Sequence, residues 1–416
     1  MKRFFVFLAF LLSTFALAAQ ETITVMQYNL LQYGNYQSGY AECYETNNNT
    51  QHKDECIRTI MNYVHPDILT VCEFGKTPQL QADFLRHNLN INGADYWKTD
   101  NIINFANQAI INHIFYDSRK MELKSHVALR TSPRDTDVYE LYLKTTELLA
   151  GDTVKLVCIV SHPKAGQYYE TDRLATMRTV MNYVEGHYAN ENVLIMGDFN
   201  MYRASETGYQ LLTKTYSDSR SLFVDPLFSA GGVGEWSKNS QYARFHTQST
   251  HRYSDECFSS GGMDDRFDFI LMSDEIYMGF NRIKYVNNSY YAVGNDGQHF
   301  NMSIDQNGNA TVPPDVLEAL FDVSDHLPVT MKMTVFAQWD VDELKMESLR
   351  VYPSPTTGRL RVDNAEPAPY RIANVMGQTL ASGWVADEID VSGLSDGLYF
   401  ININGRIAKF VKTSSY

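Results

Sequence analysis

Polar side chains that can bind a metal ion or move a proton recur where apolar stretches of this sequence end. Gly197-Asp198-Phe199-Asn200 follows the apolar run 193–196, so a carboxylate and an amide would emerge together at the end of a strand. Ser324-Asp325-His326-Leu327-Pro328 places a carboxylate beside an imidazole just before the strand-like run 329–335. Four more candidates stand at the borders of apolar runs: Asn29, Glu73, His162 and Asp268.

Each of these short stretches also has an ordinary structural interpretation. Gly-Asp-x-Asn is a common turn, and Ser-Asp-His suits the cap of a helix or turn. Asp268 enters a strand, where a carboxylate is costly without a partner, and a salt bridge with Arg266 or Arg203 is the structural alternative. Six such strand ends in one chain are hard to explain as turns and caps alone.

Hydrolysis of a phosphate ester would use all of these side-chain types. Carboxylate and amide oxygens hold a hard cation such as Mg²⁺, which polarises the phosphoryl oxygen. A second carboxylate can deprotonate water, and histidines can donate hydrogen bonds to the phosphate. Because the chain has a formal net charge of −14, a bound cation would have to offset the repulsion of a phosphate locally. A long nucleic acid would also need a local basic face.

The elements that would position these residues are mostly strands. Alternating or continuous apolar residues predict strands at 22–28, 68–72, 109–115, 138–143, 154–160, 193–196, 267–272 and 329–335. Helical spacing of apolar residues predicts helices over 57–64 and 171–188. Since strands dominate without a regular strand–helix–strand repeat, packed sheets covered by helices are favoured over a doubly wound parallel sheet.

Taken in order, the same motifs resemble those of the endonuclease/exonuclease/phosphatase superfamily. That family includes pancreatic-type deoxyribonucleases, abasic-site endonucleases, neutral sphingomyelinases and inositol-polyphosphate phosphatases. The resemblance implies an α+β fold, a four-layer α/β/β/α sandwich in which two packed mixed β-sheets are flanked by helices. It covers about 22–336, and the matching stretches are Met26-Gln27-Tyr28-Asn29, Cys72-Glu73, Ser161-His162, Gly197-Asp198-Phe199-Asn200, Phe267-Asp268-Phe269-Ile270 and Ser324-Asp325-His326-Leu327-Pro328.

The resemblance implies a metal site as well as a fold. By position, Glu73 would be the main metal ligand, with Asn29 and Asp325 nearby. The cofactor that the family implies is Mg²⁺, with Ca²⁺ or Mn²⁺ as alternatives. Oxygen ligands of this kind suit each of these hard cations.

The resemblance also implies catalytic roles. Asp198 would position or deprotonate the attacking water, helped by Asn200. His326, held by Asp268, would donate to the phosphate, and His162 would do so from the other side. An imidazole whose far nitrogen meets a carboxylate is kept in one orientation and favours its cationic form.

These residues favour a divalent-metal-dependent phosphoesterase, and a phosphodiesterase or nuclease acting on DNA or RNA is the first choice. The alternatives are a sphingomyelinase-like phospholipid phosphodiesterase, which an exposed aromatic hairpin near the site would favour, and a phosphomonoesterase. A non-catalytic binding protein on the same fold is a third interpretation. Loss of a ligand would have indicated it, yet each motif of the family has its counterpart in the sequence.

Both ends of the chain carry targeting features. Lys2 and Arg3 precede the apolar stretch 4–17 and small residues up to Ala19, which predicts a signal peptide at residues 1–19. Its apolar part is too short to span a bilayer. Removing it takes two positive charges from the net charge of −14 and leaves −16. A catalytic domain at 20–337 and a polar linker at 338–347 would follow, and then short strands with Gly and Pro turns at 348–416, a small C-terminal β-sandwich.

The C-terminal module resembles the sorting domain of type IX secretion. The matching stretches are Val351-Tyr352-Pro353-Ser354-Pro355-Thr356-Thr357-Gly358, Asn374-Val375-Met376-Gly377, Leu394-Ser395-Asp396-Gly397-Leu398-Tyr399 and Lys409-Phe410-Val411-Lys412. A generic adhesive β-sandwich is the alternative. The resemblance implies the type IX secretion machinery as a partner and a protein that is secreted or held at the cell surface after passing through the periplasm. No integral membrane span is expected in the mature protein.

Export of the chain would allow its cysteines to form disulfides. There are five, so at least one thiol is free or pairs between chains. Cys72 and Cys158 lie in apolar runs and are expected to be buried thiols. Cys43 and Cys56 flank a polar stretch, and a disulfide between them is the expected pairing.

Overall fold

Two mixed β-sheets form the centre of the catalytic region. The computed structural model describes residues 21–36, 43–144, 153–213, 223–227, 235–254, 257–306, 308–336, 349–363, 367–374, 379–403 and 406–414. The predicted signal peptide at 1–19 and linker at 338–347 lie outside these residues. No helix within the described ranges is long and apolar enough to cross a membrane.

The first sheet has the strand order β11-β13-β1-β2-β4-β3, with β12 paired to β13. Strands β1 and β2 run parallel, and the other pairs are antiparallel. Its strands are β1 (Glu21–Tyr33), β2 (Ile68–Gly75), β3 (Trp97–Lys98), β4 (Ile110–Asp117), β11 (Ile283–Tyr285), β12 (Tyr291–Ala292) and β13 (Val329–Val335).

The second sheet has the order β5-β6-β7-β8-β10-β9. Strands β7 and β8 run parallel, and the other pairs are antiparallel. Its strands are β5 (Met121–Leu129), β6 (Thr136–Leu143), β7 (Val154–Val160), β8 (Val193–Asp198), β9 (Phe223–Val224) and β10 (Asp268–Ser273).

Helices cover the outer face of each sheet, which confirms the predicted four-layer α/β/β/α fold. They are α1 (Thr50–Val64), α2 (Pro78–Phe84), α3 (Glu170–His187), α4 (Thr207–Thr213), α5 (Asp274–Met278) and α6 (Pro314–Val323), with a π-helical turn at Leu85–Leu89 and a 3-10 turn at Ser240–Phe245. Helices α1 and α6 share a buried cluster with the first sheet, and α3 and α4 share one with the second. Along β1, Ile23 and Val25 face the second sheet, whereas Met26 and Tyr28 face α1 and α6.

The C-terminal strands form a separate small β-sandwich. A three-stranded sheet packs with a four-stranded one around a core that includes Leu360, Ile372, Ile401 and Phe410. The strands are β14 (Val351–Tyr352), β15 (Arg359–Val362), β16 (Ala368–Asn374), β17 (Thr379–Val385), β18 (Glu388–Asp390), β19 (Gly397–Ile403) and β20 (Arg406–Lys412).

The expected disulfide between Cys43 and Cys56 is wrong. Cys43 is bonded to Cys257, with the two Cα atoms 4.5 Å apart, while Cys56 is a buried free thiol on α1. The helix that begins at Thr50 turns Cys56 into the cluster between α1 and the first sheet. The true partner lies 214 residues away along the chain, a distance that local spacing does not reveal. Cys72 and Cys158 are buried free thiols, as expected.

Candidate active site

The predicted site residues come together where the two sheets meet at one edge. Asn29 and Glu73 come from the first sheet, and Asp198 and Asp268 from adjoining strands of the second. His162 follows β7, and Asp325 and His326 precede β13. All of these side chains are buried except that of Glu73, which is half-buried.

Two bulges in the first sheet aim Asn29 and Glu73 at the site. From Val71 to Phe74 strand β2 advances three residues while its partner β4 advances two, so β2 carries one extra residue there. Glu73 has φ 58°, which breaks the alternation. Strand β1 likewise inserts two extra residues between Asn29 and Tyr33. Bulges of this kind redirect side chains and are frequent beside active sites.

Gly197 allows strand β8 to approach the segment that carries His162. Its φ is 150°, and a Cβ at this position would lie 1.8 Å from the backbone oxygen of Ser161. Only glycine fits such an approach. The next residue, Asp198, accepts a hydrogen bond from the backbone N–H of Asn200 at 3.1 Å. The Gly-Asp-x-Asn motif therefore forms a turn and presents a carboxylate to the site as well.

Asn29, Glu73 and Asp198 form the hydrogen-bonded centre of the site. The amide nitrogen of Asn29 lies 3.0 Å from Asp198 Oδ2 and 3.3 Å from Glu73 Oε1. Its oxygen accepts from the backbone N–H of Leu31 at 2.9 Å. In this orientation Asn29 holds two carboxylates together, whereas a turned amide would present its oxygen to a cation. Its role as a ligand stays a prediction.

His326 is held between three carboxylates. Its Nδ1 lies 2.6 Å from Asp268 Oδ2, and its Nε2 lies 3.8 Å from Asp198 Oδ2 and 4.0 Å from Asp325 Oδ1. Asp268 also accepts from the hydroxyl of Thr247 at 2.8 Å. The partner of Asp268 is thus His326. The two arginines considered as structural alternatives bind elsewhere, Arg266 to Asp225 and Arg203 to Glu170.

The two histidines of the site have opposite charge preferences. Burial opposes the charge of His326, but Asp268, Asp198 and Asp325 outweigh it and raise its pKa well above the usual value. Burial, together with the charges of Arg134 and His326, lowers the pKa of His162 well below the usual value. At neutral pH His326 is therefore cationic and His162 neutral.

Asp198 lies between these two rings. Its Oδ2 is 3.3 Å from His162 Nε2. Burial raises the pKa of Asp198 to about 7, the charge of His326 opposes the rise, and Asp268 and Glu73 add to it. A carboxylate with a pKa near neutrality is suited to accept a proton from water.

The donor set fits a hard divalent cation. Ligand atoms of Glu73, His162 and Asp198 all lie within 4.8 Å of one another. Among the described residues, Asp325 Oδ1 is buried and has no hydrogen-bond partner. An uncompensated buried carboxylate oxygen is costly, and a cation would satisfy it. A hard cation prefers oxygen ligands of this kind.

Several supporting residues escaped sequence analysis. The amide nitrogen of Gln248 donates to Asp325 Oδ2 at 3.2 Å and lies 2.7 Å from His326 Nε2. Gln32 donates to Glu73 twice, from its backbone at 3.1 Å and from its side chain at 2.9 Å. Lys53 is buried on α1, and its ammonium donates to the carbonyls of Leu30 and Leu31 within the β1 bulge at 2.8 and 2.6 Å.

The burial of Lys53 could have been predicted from the sequence pattern. It falls at helical spacing with Cys56, Ile57 and Ile60, which form the buried face of α1. A lysine on an apolar face predicts a buried polar contact. Burial lowers its pKa to about 7, although Asp325 and Glu73 oppose that effect. Gln248 and Gln32 lie in stretches without such periodicity.

Two protein-family models match this chain. Residues 26–326 match the model of the Endonuclease/Exonuclease/phosphatase family, and residues 350–414 match that of the Secretion system C-terminal sorting domain. These ranges fall within the expected domains 20–337 and 348–416. No curated protein matches the chain significantly.

Solved structures show similarity over about three quarters of this chain. A humanised D. rerio TDP2 with 14 mutations is 11% identical, covering 75% of this chain and 98% of its own, with a TM-score of 0.45. The human nocturnin catalytic domain is 15% identical, covering 76% and 98%, with a TM-score of 0.45. Bacteroides thetaiotaomicron mannosyl-6-phosphatase Bt3783 is 14% identical, covering 76% and 100%, with a TM-score of 0.43. Similarities of this size support no conclusion about substrate.

Proposed function

We propose that this chain, which belongs to the endonuclease/exonuclease/phosphatase family and is a hydrolase of phosphoric esters, cleaves phosphodiester bonds by direct attack of water with the help of Mg²⁺. Enzymes of this family depend on a divalent metal, and the site has acidic and histidine groups that could bind one. The sorting domain marks the protein for export by type IX secretion to the cell surface or the medium.

The observation that carries the proposal is the placement of Asp198 between a neutral and a cationic histidine. Asp198 lies 3.3 Å from His162 and 3.8 Å from His326, and Asp268 holds the far nitrogen of His326 at 2.6 Å. Asp198 can accept a proton from water, and His326 presents a positive charge that Asp268 holds in place. In-line attack on phosphorus needs both, because charge builds on the phosphoryl oxygens while the nucleophile loses a proton.

Each residue then has a role. Glu73 and Asp325, with Asn29 beside them, would hold Mg²⁺, and the ion would polarise the phosphoryl oxygen and offset charge on the leaving oxygen. Asp198 would orient and deprotonate water. His326 would donate a hydrogen bond to the phosphate as an imidazolium. His162, neutral and buried, would donate from the other side.

Cation–aromatic pairs in the catalytic region favour a nucleic acid as the diester. Lys164 lies over Tyr169 at 4.8 Å, on the loop that follows His162. Arg130 lies over Phe105 at 4.5 Å, and Arg252 over Tyr253 at 5.4 Å. Tyr253 is 70% exposed. Flat rings beside cations suit the bases and phosphates of a single strand.

The test compares substrates and site variants of the purified mature protein. Plasmid DNA, RNA, sphingomyelin, bis-p-nitrophenyl phosphate and p-nitrophenyl phosphate are assayed with Mg²⁺, Ca²⁺ or Mn²⁺ and with EDTA. We expect Mg²⁺-dependent cleavage of nucleic acid and of the chromogenic diester in preference to the monoester. Preferential cleavage of sphingomyelin or of the monoester would overturn the substrate assignment.

Matched variants test the site itself. Asp198→Ala and His326→Ala should abolish turnover while leaving the circular dichroism spectrum unchanged. Asp315→Ala and His187→Ala, which remove an exposed carboxylate and an exposed imidazole on outer helices, should retain full activity. Near-native turnover by either site variant would contradict the proposed roles.

A further inference from the structure

A second group of metal-binding side chains lies between helices α1 and α6, with no residue in common with the catalytic site. His52 Nε2 is 3.1 Å from Asp322 Oδ2 and 3.8 Å from Cys56 Sγ. The ligand atoms of all three residues lie within 4.8 Å of one another. His52 and Cys56 are four residues apart on α1, so one face of that helix presents both.

The separations match those around a tetrahedral zinc ion. Zinc binds nitrogen and carboxylate oxygen at about 2.0–2.2 Å and thiolate sulfur at about 2.3 Å, so neighbouring ligand atoms in a tetrahedron lie roughly 3.3–3.6 Å apart. The observed contacts of 3.1 and 3.8 Å bracket this range. The same ring nitrogen faces both the carboxylate and the sulfur, so the three atoms surround one point.

The donor types select a different ion from that of the catalytic site. Imidazole, thiolate and a single carboxylate suit Zn²⁺, whereas Mg²⁺ takes oxygen ligands. Glu55 and Glu318 add negative charge within electrostatic reach of Cys56. Glu318 precedes Asp322 by one helical turn on α6 and, like a water molecule, could provide a fourth ligand.

Burial gives the group a structural role. Cys56 is 6% exposed and packs in the cluster between α1, α6 and the first sheet, whereas His52 is half exposed and open to entering ions. A metal ion held by these side chains would join helices α1 and α6 through coordinate bonds. Helix α1 also carries Lys53, which holds the β1 bulge behind Asn29.

We propose that His52, Cys56 and Asp322 form a structural Zn²⁺ site that clamps α1 to α6. The alternative is an exposed histidine–aspartate ion pair beside an unrelated buried thiol. The clamp would stabilise the helical layer behind the catalytic residues without taking part in the reaction.

The experiment uses Co²⁺ as a spectroscopic substitute for Zn²⁺. The full mature chain is prepared with Glu73→Gln, so that binding at the catalytic site is weakened. Co²⁺ should give a thiolate charge-transfer band and intense tetrahedral d–d bands, and Zn²⁺ should bleach both. Equilibrium dialysis should find one tightly bound Zn²⁺. Cys56→Ser, His52→Ala or Asp322→Asn should remove the bands and the tight binding, while His187→Ala should retain them.

A thermal measurement on the otherwise native protein keeps the test independent of catalysis. Zn²⁺ should raise Tm by several degrees in the parent chain and leave Tm of His52→Ala unchanged. Since His52 is half exposed, this variant should fold even where Cys56→Ser does not. Mg²⁺-dependent activity of His52→Ala should equal that of the parent. Absence of the Co²⁺–thiolate band together with an identical Zn²⁺ response in parent and His52→Ala would overturn the zinc site and leave the proposed function standing.

Discussion

At the level of single residues, the chemistry of the site depends on which groups carry charge. His326 is kept cationic by Asp268 at 2.6 Å, and His162, buried without such a carboxylate on its far nitrogen, is kept neutral. Both are histidines next to Asp198. Their surroundings, rather than their type, decide which one can offer a positive charge to a phosphate.

Asp268→Asn should reduce kcat about 10²–10⁴-fold. An amide cannot stabilise the imidazolium, so the pKa of His326 should fall and the alkaline limb of the kcat profile should move to lower pH. Steady-state kinetics across pH measure both effects. Asp264→Asn changes another largely buried acid, which has no contact with His326 among the described residues, and should leave the profile in place. An unshifted profile in Asp268→Asn would rule out this positioning role.

His113 should make the protein sensitive to acid. Its buried ring is bonded to Thr99 and Gln81, and burial, with a contribution from the charge of His126, lowers its pKa from 6.5 to about 3. Between these values the unfolded chain binds a proton that the folded chain does not, so stability falls as pH drops from 6.5 towards 3. The full effect of this group is on the order of 5 kcal/mol.

Urea unfolding from pH 4 to 7 measures that dependence. We expect the free energy of unfolding of His113→Gln to vary less with pH than that of the parent. His187→Gln changes an exposed histidine and should follow the parent curve. Parallel curves for parent and His113→Gln would show that His113 titrates normally in the folded state.

At the level of elements, one side chain of α3 joins the two loops that follow the catalytic strands β7 and β8. Arg173 donates to Glu206 through Nε at 2.9 Å and Nη2 at 3.0 Å, and to the carbonyls of Lys164 and Gly166 at 3.1 and 2.8 Å. Glu206 also accepts from the backbone of Tyr202 at 2.9 Å. The positions of the loops beyond His162 and Asp198 therefore depend on one buried ion pair.

Arg173→Met should destabilise the protein by about 3–5 kcal/mol, because Glu206 would remain buried without its partner. The double variant with Glu206→Leu should recover part of this loss, since both charges are then removed. Denaturant unfolding of the parent, both single variants and the double variant gives the coupling. Additive effects would mean that the ion pair does not act as a unit.

At the level of the whole molecule, the catalytic region and the C-terminal sandwich have separate hydrophobic cores. The buried cluster of the C-terminal sandwich consists only of its own residues. Arg371 connects this sandwich to the catalytic region through Glu275 at 3.3 Å and the ring of Phe280 at 4.4 Å. Contacts of this kind resemble those between domains that fold independently.

Deleting 349–416 should leave kcat/KM within about twofold of the parent, since the catalytic cores remain complete. In cells that possess type IX secretion, the truncated protein should accumulate in the periplasm. Fractionation of periplasm, cell surface and medium, with activity measured in each, tests both expectations. A charge-neutral change on the same module, Ser414→Ala, should be exported normally. Appearance of the truncated enzyme in the medium would contradict the sorting role.

The sequence by itself predicted the family, the main candidate site residues and eight of the thirteen described strands of the two sheets, but not β3, β5, β9, β11 or β12. Strand β13, for example, spans the predicted 329–335, because the alternation of apolar residues with Thr330, Lys332 and Thr334 is a local property of a strand with one apolar face. Asn29, Glu73, His162, Asp198, Asp268, Asp325 and His326 were all predicted from strand ends, where polar residues interrupt apolar runs.

Only the tertiary structure decided how these residues are aimed and charged. The bulges at Asn29 and Glu73, the contacts of Gln248 and Lys53, and the pairing of Cys43 with Cys257 join segments far apart in the chain. The cationic state of His326 depends on carboxylates from other segments, and the neutral state of His162 depends on burial and on the nearby charges of Arg134 and His326. Local periodicity reports which face of an element is buried, but electrostatic environment and bond partners are properties of neighbours in space.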